Sequence, residues 1–235
     1  MRTPNAIRAA GLVCVALAML LAAGCSKEEK PAETQAVPTV PQVFQDGVNA
    51  LRKNDVDAAV KSFTLIVEKA YEGAPERPLS YLYLGQIALR AGNAEVAAQN
   101  FQQALKFSPD MPQARLSLGN AYFSGGRLDD AIQVWEQLAH DRPNLASVHN
   151  NLGIAYTDKG DLDKAISHLE QTISLSPENY QAHENLAAAY RKKGMNDEAD
   201  AALHKAQAIK ARLLARQKEG VPAPQAGPQA EPKAP

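Results

Sequence analysis

The sequence predicts an all-α fold, a solenoid of stacked helical hairpins, and two observations support this prediction. First, the Leu-Gly pair that begins at Leu152 recurs 34 residues earlier at Leu118 and again at Leu84. Second, apolar residues within each period are spaced three and four apart, as on one face of an α-helix. A fixed period of this length is typical of repeat arrays, in which each unit packs on its neighbours rather than around one shared core.

The period 146–179 shows how one unit is expected to fold. We expect a first helix over 148–159 that ends at Gly160, because glycine adopts the left-handed conformation without a Cβ penalty. Asp161 and Asp163 then begin a second helix, which Pro177 ends because proline lacks the N–H that would continue it. Its apolar stripe consists of Ala165, Ile166, Leu169, Thr172 and Ile173. A single hairpin cannot bury this stripe, so neighbouring hairpins must cover it.

The recurring pattern of Leu-Gly, Tyr, Gly, Ala, Leu and Pro resembles the tetratricopeptide repeat. Four copies follow one another in register, at 78–111, 112–145, 146–179 and 180–213. A fifth copy, 40–73, is less regular and has Asn54 at the position of the turn glycine, as expected at the end of an array. The resemblance implies a right-handed α-solenoid of five hairpins with an extended C-terminal capping helix.

The last repeat differs from the others at its end. Ala211 stands where earlier repeats have proline, so the second helix is predicted to continue to about Gln217 and to cap the open end of the stack. The segment 214–235 is predicted to complete this helix and then to form a disordered tail rich in proline and alanine. Basic residues suit the C-terminus of the helix, and the alternative is a site for an anionic partner or lipid head groups. These residues are Lys205, Lys210, Arg212, Arg216 and Lys218.

Residues 1–24 are predicted to be a bacterial lipoprotein signal peptide. Arg2 and Arg8 form a basic start, and the apolar run 9–21 is shorter than the ~20 residues that a membrane-spanning helix needs. The segment 21–25, LAAGC, resembles a bacterial lipobox, which implies that Cys25 is lipidated and becomes the mature N-terminus. The alternative is an ordinary cleaved signal peptide with an incidental cysteine.

Residues 25–39 are polar and contain proline, which predicts a flexible tether between the lipid and the array. Two or three acyl chains on Cys25 would make a stable anchor, since each buried CH₂ contributes ~0.8 kcal/mol. Ser26, rather than aspartate, follows Cys25, and by resemblance this favours the outer membrane, with the array facing the periplasm. The net charge of −1 offers no argument for a nucleic-acid partner.

No arrangement of residues indicates catalysis, so the protein is predicted not to be an enzyme and to use no metal or cofactor. The five histidines accompany no HExxH motif, no CxxC motif and no glycine-rich phosphate loop. Acidic pairs recur at the start of second helices, where we expect them to cap free N–H groups. These pairs are Asp129 with Asp130, Asp161 with Asp163, and Asp197 with Glu198.

His149 and His183 lie one period apart in two first helices. They are predicted to be partly buried packing residues, at the position where Tyr81 lies in an earlier repeat. The alternative is that they face each other across adjacent helices, as a weak metal site or a pH-sensitive contact.

The resemblance also implies that the first helices line a concave groove that binds peptides. Amide side chains in such a groove can hydrogen-bond to both edges of an extended backbone, with little preference for sequence. Asn120 and Asn151 match two asparagines of a related carboxylate clamp, but Leu116, Gln181 and Asn185 occupy its basic positions, so the clamp is incomplete. By position, the predicted groove residues are Tyr83, Gln86, Asn120, Asn150, Asn151, Asn185 and Arg191.

We therefore predict a non-catalytic envelope lipoprotein whose groove binds protein or peptide partners, in the assembly of an envelope or secretion complex. No small-molecule substrate is expected. One alternative is a structural protein whose repeats stack head to tail between molecules. Another is an accessory protein to peptidoglycan or glycan enzymes, and the groove amides could also serve only to solvate the inner face.

Overall fold

The computed structural model describes residues 38–68 and 73–219. These residues form ten α-helices and contain no β-strand, which confirms the all-α prediction. The predictions for the signal peptide, for Cys25, for most of the tether and for the tail after residue 219 lie outside the described residues. No helix of the described part is long and apolar enough to cross a membrane.

The ten helices pair into five antiparallel hairpins, with odd-numbered first helices and even-numbered second helices. Successive helices contact one another from α1 to α10, and α7 also contacts α9, as α3 contacts α5. The first helices therefore form one continuous side of a solenoid. The bounds are α1 Val40–Arg52, α2 Val56–Val67, α3 Arg77–Arg90, α4 Ala94–Phe107, α5 Pro112–Ser124, α6 Leu128–Asp141, α7 Ala146–Lys159, α8 Leu162–Leu175, α9 Tyr180–Lys193 and α10 Asn196–Lys218.

The turn inside each hairpin requires a residue in the left-handed region. Gly160 ends α7 with φ of 89° and Gly194 ends α9 with φ of 85°. In the first hairpin Asn54 takes this place with φ of 59°, and it is the one non-glycine residue with positive φ in the described part of the chain. Asparagine tolerates this conformation better than other L-residues do, so the irregular first repeat keeps the turn of the others.

A large side chain from each of the first four second helices fills the space against its first helix. Phe63, Phe101 and Leu169 have no exposed surface, and Trp135 is only 2% exposed. Each packs onto a small residue of the first helix: a Cβ atom added to Gly119 would lie 2.1 Å from Nε1 of Trp135. Glycine at this position is therefore required for close helix approach, and Trp135 is a packing residue of its hairpin.

The acidic pairs do not all cap their helices, so that prediction was wrong in part. Asp161 does accept a hydrogen bond from the backbone N–H of Lys164. The N-cap positions of α6 and α10 make no side-chain cap. Instead Asp129 forms an ion pair with Lys159 of the next hairpin at 2.6 Å, because the start of each second helix lies beside the end of the following first helix. One period later, Asp163 and Lys193 form the same pair.

The final helix α10 runs to Lys218, which confirms the predicted extension beyond the usual repeat end. Arg212 forms an ion pair with Glu178, which lies in the loop between α8 and α9. The ammonium of Lys210 lies 5.3 Å from the ring centroid of Tyr180. Two of the basic residues are thus engaged within the array, and Leu214 near the end of this helix is 52% exposed.

Candidate functional site

Two pairs of asparagines connect successive first helices. Nδ2 of Asn151 on α7 donates a hydrogen bond to Oδ1 of Asn120 on α5 at 2.8 Å. Nδ2 of Asn185 on α9 donates to Oδ1 of Asn150 on α7 at 3.1 Å. We call these four half-buried residues the asparagine ladder. The structure thus brings four of the seven predicted groove residues together along α5, α7 and α9.

The asparagine ladder retains hydrogen-bonding capacity. A primary amide has two N–H donors and an oxygen with two lone pairs, and the contact within each pair uses one donor and one lone pair. Each of the four side chains is partly exposed to solvent. Free amide groups therefore line the first-helix side, already oriented by their partners, and ordering them for a ligand costs little side-chain entropy.

An open cavity of about 260 Å³ lies beside the first asparagine pair. Asn120 and Asn151 form its polar edge, and the apolar lining comes from Phe123, Trp135 and Ile154. The indole N–H of Trp135 donates to the carbonyl of Leu116 at 3.2 Å, which holds the ring in place. Trp135 thus both packs against Gly119 and lines this cavity, a second role that the repeat pattern does not indicate.

Three predicted groove residues lie apart from the ladder contacts. The ring of Tyr83 stacks on Phe63, with centroids 4.9 Å apart and planes at 8°, within the small core of the first hairpins. Gln86 is half-buried on α3. Arg191 is exposed and forms an ion pair at 3.0 Å with Asp200 of α10. Their roles in binding remain predictions.

Two further contacts join the tyrosines of first helices α7 and α9 to the preceding second helix. The hydroxyl of Tyr156 donates to Glu136, and one period later Tyr190 donates to Glu170 at 3.2 Å. Burial, together with the hydrogen bond and charge of Glu136, raises the pKa of Tyr156. Burial and the charge of Glu170 likewise raise the pKa of Tyr190. The recurring tyrosine was visible in the sequence, but its acidic partner 20 residues earlier was missed.

His149 and His183 are buried packing residues, as predicted, with 8% and 7% of their surface exposed. The alternative of a direct contact between them is wrong for His149, which bonds to His168 of its own hairpin. The two Nδ1 atoms are 3.1 Å apart, and Nε2 of His149 lies 2.9 Å from the carbonyl of Pro143. Burial and then the neighbouring His149 lower the pKa of His168. Within 38–68 and 73–219 no group of three or more side chains could hold a metal ion.

The family comparison agrees with this architecture. A family described as "Tetratricopeptide repeat" matches residues 45–112 and 85–146, and a second, "TPR repeat", matches residues 153–194. Together the matches cover more than half of the chain, so the protein belongs to the tetratricopeptide repeat family. No curated protein matches the sequence.

Solved structures of MamA are similar to this chain. One crystal structure is 26% identical with a TM-score of 0.65 and covers 72% of this chain and 96% of its own. Another is 23% identical with a TM-score of 0.65, covering 79% and 97%. MamA from Desulfovibrio magneticus RS-1 is 19% identical with a TM-score of 0.67, covering 74% and 96%. At 23% and 19% identity, the last two structures show that the fold is similar and no more.

Proposed function

We propose that this protein is a non-catalytic scaffold that binds an extended segment of a partner protein along the asparagine ladder. The observation that supports this most is the two hydrogen bonds that join four amides in pairs across α5, α7 and α9. Side-chain amides, which carry both donors and acceptors, can bond to the N–H and C=O groups of an extended peptide.

The cavity beside Asn120 and Asn151 adds a second element of recognition. Its lining by Phe123, Trp135 and Ile154 suits one apolar side chain of the bound segment. A buried apolar side chain contributes roughly 1.5–3 kcal/mol, so this contact would set the register of a peptide whose backbone is held by amides. The proposed ligand is therefore an extended peptide with an apolar residue opposite Trp135.

The test uses the full chain and a displayed library of random peptides, with the affinity of selected peptides measured for each variant. We expect the double variant Asn151→Ala/Asn185→Ala to bind them roughly tenfold or more weakly, since each lost hydrogen bond costs about 1 kcal/mol. The matched control is Asn93→Ala/Asn144→Ala, two exposed asparagines, the first of which makes no side-chain cap. Equal peptide affinity of both double variants would contradict peptide binding along the asparagine ladder.

Protection of amides from hydrogen exchange then locates the peptide. Protection on α5, α7 and α9 supports the proposal, whereas protection confined to second helices overturns it. Concentration-dependent association of the chain without peptide, abolished by the ladder variant, would favour the self-assembling alternative instead.

We further propose that the array is anchored by lipid on Cys25 in a bacterial envelope, at the outer membrane and facing the periplasm, where it assists assembly of an envelope or secretion complex. Support comes from the sequence of 1–25 alone, with its basic start, apolar run and LAAGC ending. The test is labelling of expressing cells with an alkyne fatty acid. The wild type should carry the label in the membrane fraction, and Cys25→Ser should carry none; a labelled Cys25→Ser protein would refute the anchor.

A further inference from the structure

A second cavity, of about 350 Å³, lies among α8, α9 and α10 and shares no residue with the asparagine ladder. Its lining includes the buried ring of His183, the ring of Tyr190 and the small side chain of Ala202. Charged residues also reach it, namely Glu170, Glu198 and Lys205.

In the preceding hairpin, the corresponding space contains an imidazole. His168 lies one period before Ala202 and fills the corresponding position in hairpin α7–α8. Its ring stacks on Tyr156, with centroids 5.7 Å apart and planes at 1°. Its Nδ1 also lies 3.1 Å from Nδ1 of His149. The imidazole is therefore held by one aromatic face and one hydrogen bond.

The last hairpin repeats both of these partners but lacks the imidazole. Tyr190 stands at the position of Tyr156, and His183 at the position of His149. A backbone hydrogen bond with Pro177 engages His183, just as His149 bonds to the backbone of Pro143. Across the described residues, no side chain hydrogen-bonds to His183, although the ring is only 7% exposed and lines the cavity.

We propose that this cavity binds a histidine side chain of another protein, whose imidazole stacks on Tyr190 and bonds to His183 as His168 does one hairpin earlier. The methyl group of Ala202 leaves the required volume. Lys205 at the same opening offers a donor to the other nitrogen of a neutral guest ring, and Glu170 and Glu198 offer acceptors to a protonated one. Residues 1–37 and 220–235 contain no histidine, so these two segments cannot supply the guest.

The proposal is tested with 4-methylimidazole, the histidine side-chain analogue, added to the full chain and followed by NMR. We expect saturable shifts of the His183 and Tyr190 ring signals in the wild type. The variant Ala202→His should lose this binding because its own imidazole fills the space. If that variant does not fold, His183→Leu serves instead: it keeps apolar volume, and loss of the hydrogen bond should weaken binding roughly fivefold or more.

The variant His168→Ala provides the positive control, since it opens the equivalent space beside Tyr156 and should bind the same probe. Shifts at Tyr156 in this variant without shifts at Tyr190 in the wild type would overturn the proposal. Tripeptides of the form Gly-X-Gly with blocked ends then test the guest. Histidine at X should bind more tightly than alanine or arginine, and a preference for arginine would also overturn it. The ladder variant Asn151→Ala/Asn185→Ala should bind the probe like the wild type, so this test is independent of the groove.

Discussion

Glycines serve two different physical purposes in this chain, and their neighbours distinguish them. Gly119 has no room for a Cβ atom, which would overlap the indole of Trp135. Gly126 has open space around it but a φ of 75°. The first glycine permits close packing of two helices, whereas the second permits the turn between them.

Substitution should separate these two purposes. We expect Gly119→Ala to destabilise the fold by ~1–3 kcal/mol or more, since the rigid Trp135 ring must move. Gly126→Ala should cost about 1 kcal/mol through its backbone conformation alone. Gly126→Asn should cost less than Gly126→Ala, because Asn54 already adopts the same conformation in the first hairpin. Urea unfolding measures all three, and an equal cost for alanine and asparagine at position 126 would contradict this account.

The paired imidazoles of hairpin α7–α8 should make stability depend on pH. Burial and His149 lower the pKa of His168 below its ordinary value of 6.5, so the unfolded chain binds this proton more readily than the folded one. The contribution is then complete above about pH 6.5 and is lost as the pH falls towards the folded-state pKa. An NMR titration of the His168 ring in the folded protein should give a midpoint below 6.5; a midpoint at or above 6.5 would contradict the prediction.

At the scale of the helix, acidic residues near a helix start make two kinds of contact that the sequence does not distinguish, a helix cap or an ion pair between hairpins. Asp55 caps α2 by accepting the backbone N–H of Ala58 at 3.0 Å. Asp129 lies in the first turn of α6 and pairs with Lys159 across the hairpin boundary. The capping contact is local to one helix, whereas the ion pair depends on how two hairpins dock.

The two kinds of contact predict that the destabilisation caused by alanine substitution depends differently on salt. Asp55→Ala should cost ~1 kcal/mol in both low and high salt, because the lost contact is a hydrogen bond within one helix. Asp129→Ala should cost less, and its effect should vanish in high salt because exposed ion pairs are screened. Thermal unfolding of both variants at two salt concentrations provides the measurement. A salt-dependent cost for Asp55→Ala would show that it does not act as a cap.

At the scale of the molecule, each hairpin is stabilised only by the hairpins beside it. The core is correspondingly elongated, with one cluster of buried residues extending from Leu82 on α3 to Ala202 on α10. Stability in such an array is approximately a sum of units and nearest-neighbour interfaces, so damage in one hairpin should uncouple it and its neighbours from distant hairpins.

Leu169 is fully buried in the fourth hairpin and tests this uncoupling. Leu169→Ala should cost ~2–5 kcal/mol and should accelerate hydrogen exchange most in α7–α10, while α3 and α4 retain their protection. Leu214→Ala is the control, because a side chain that is 52% exposed should contribute less than about 0.5 kcal/mol. Uniform acceleration across all helices would mean that the array unfolds as one unit.

The sequence by itself determined the number of hairpins, their turns and the residues that fill them. These features follow from local rules: a 3.6-residue period, a residue at each turn that tolerates positive φ, and a large side chain opposite a glycine. The turn at Asn54 and the length of α10 could be predicted for the same reason. Asn54 replaces a turn glycine and Ala211 replaces a helix-ending proline, and both effects are local.

Only the tertiary structure decided which side chains meet between hairpins. The asparagine pairs join residues 31 and 35 positions apart, so neither follows the 34-residue period. The contact of His149 with His168 and the cavity beside Ala202 were likewise invisible in the pattern. The reason is physical: contacts across an interface depend on the rotation and offset of whole helices, which the sum of many packing interactions sets and no single repeat encodes.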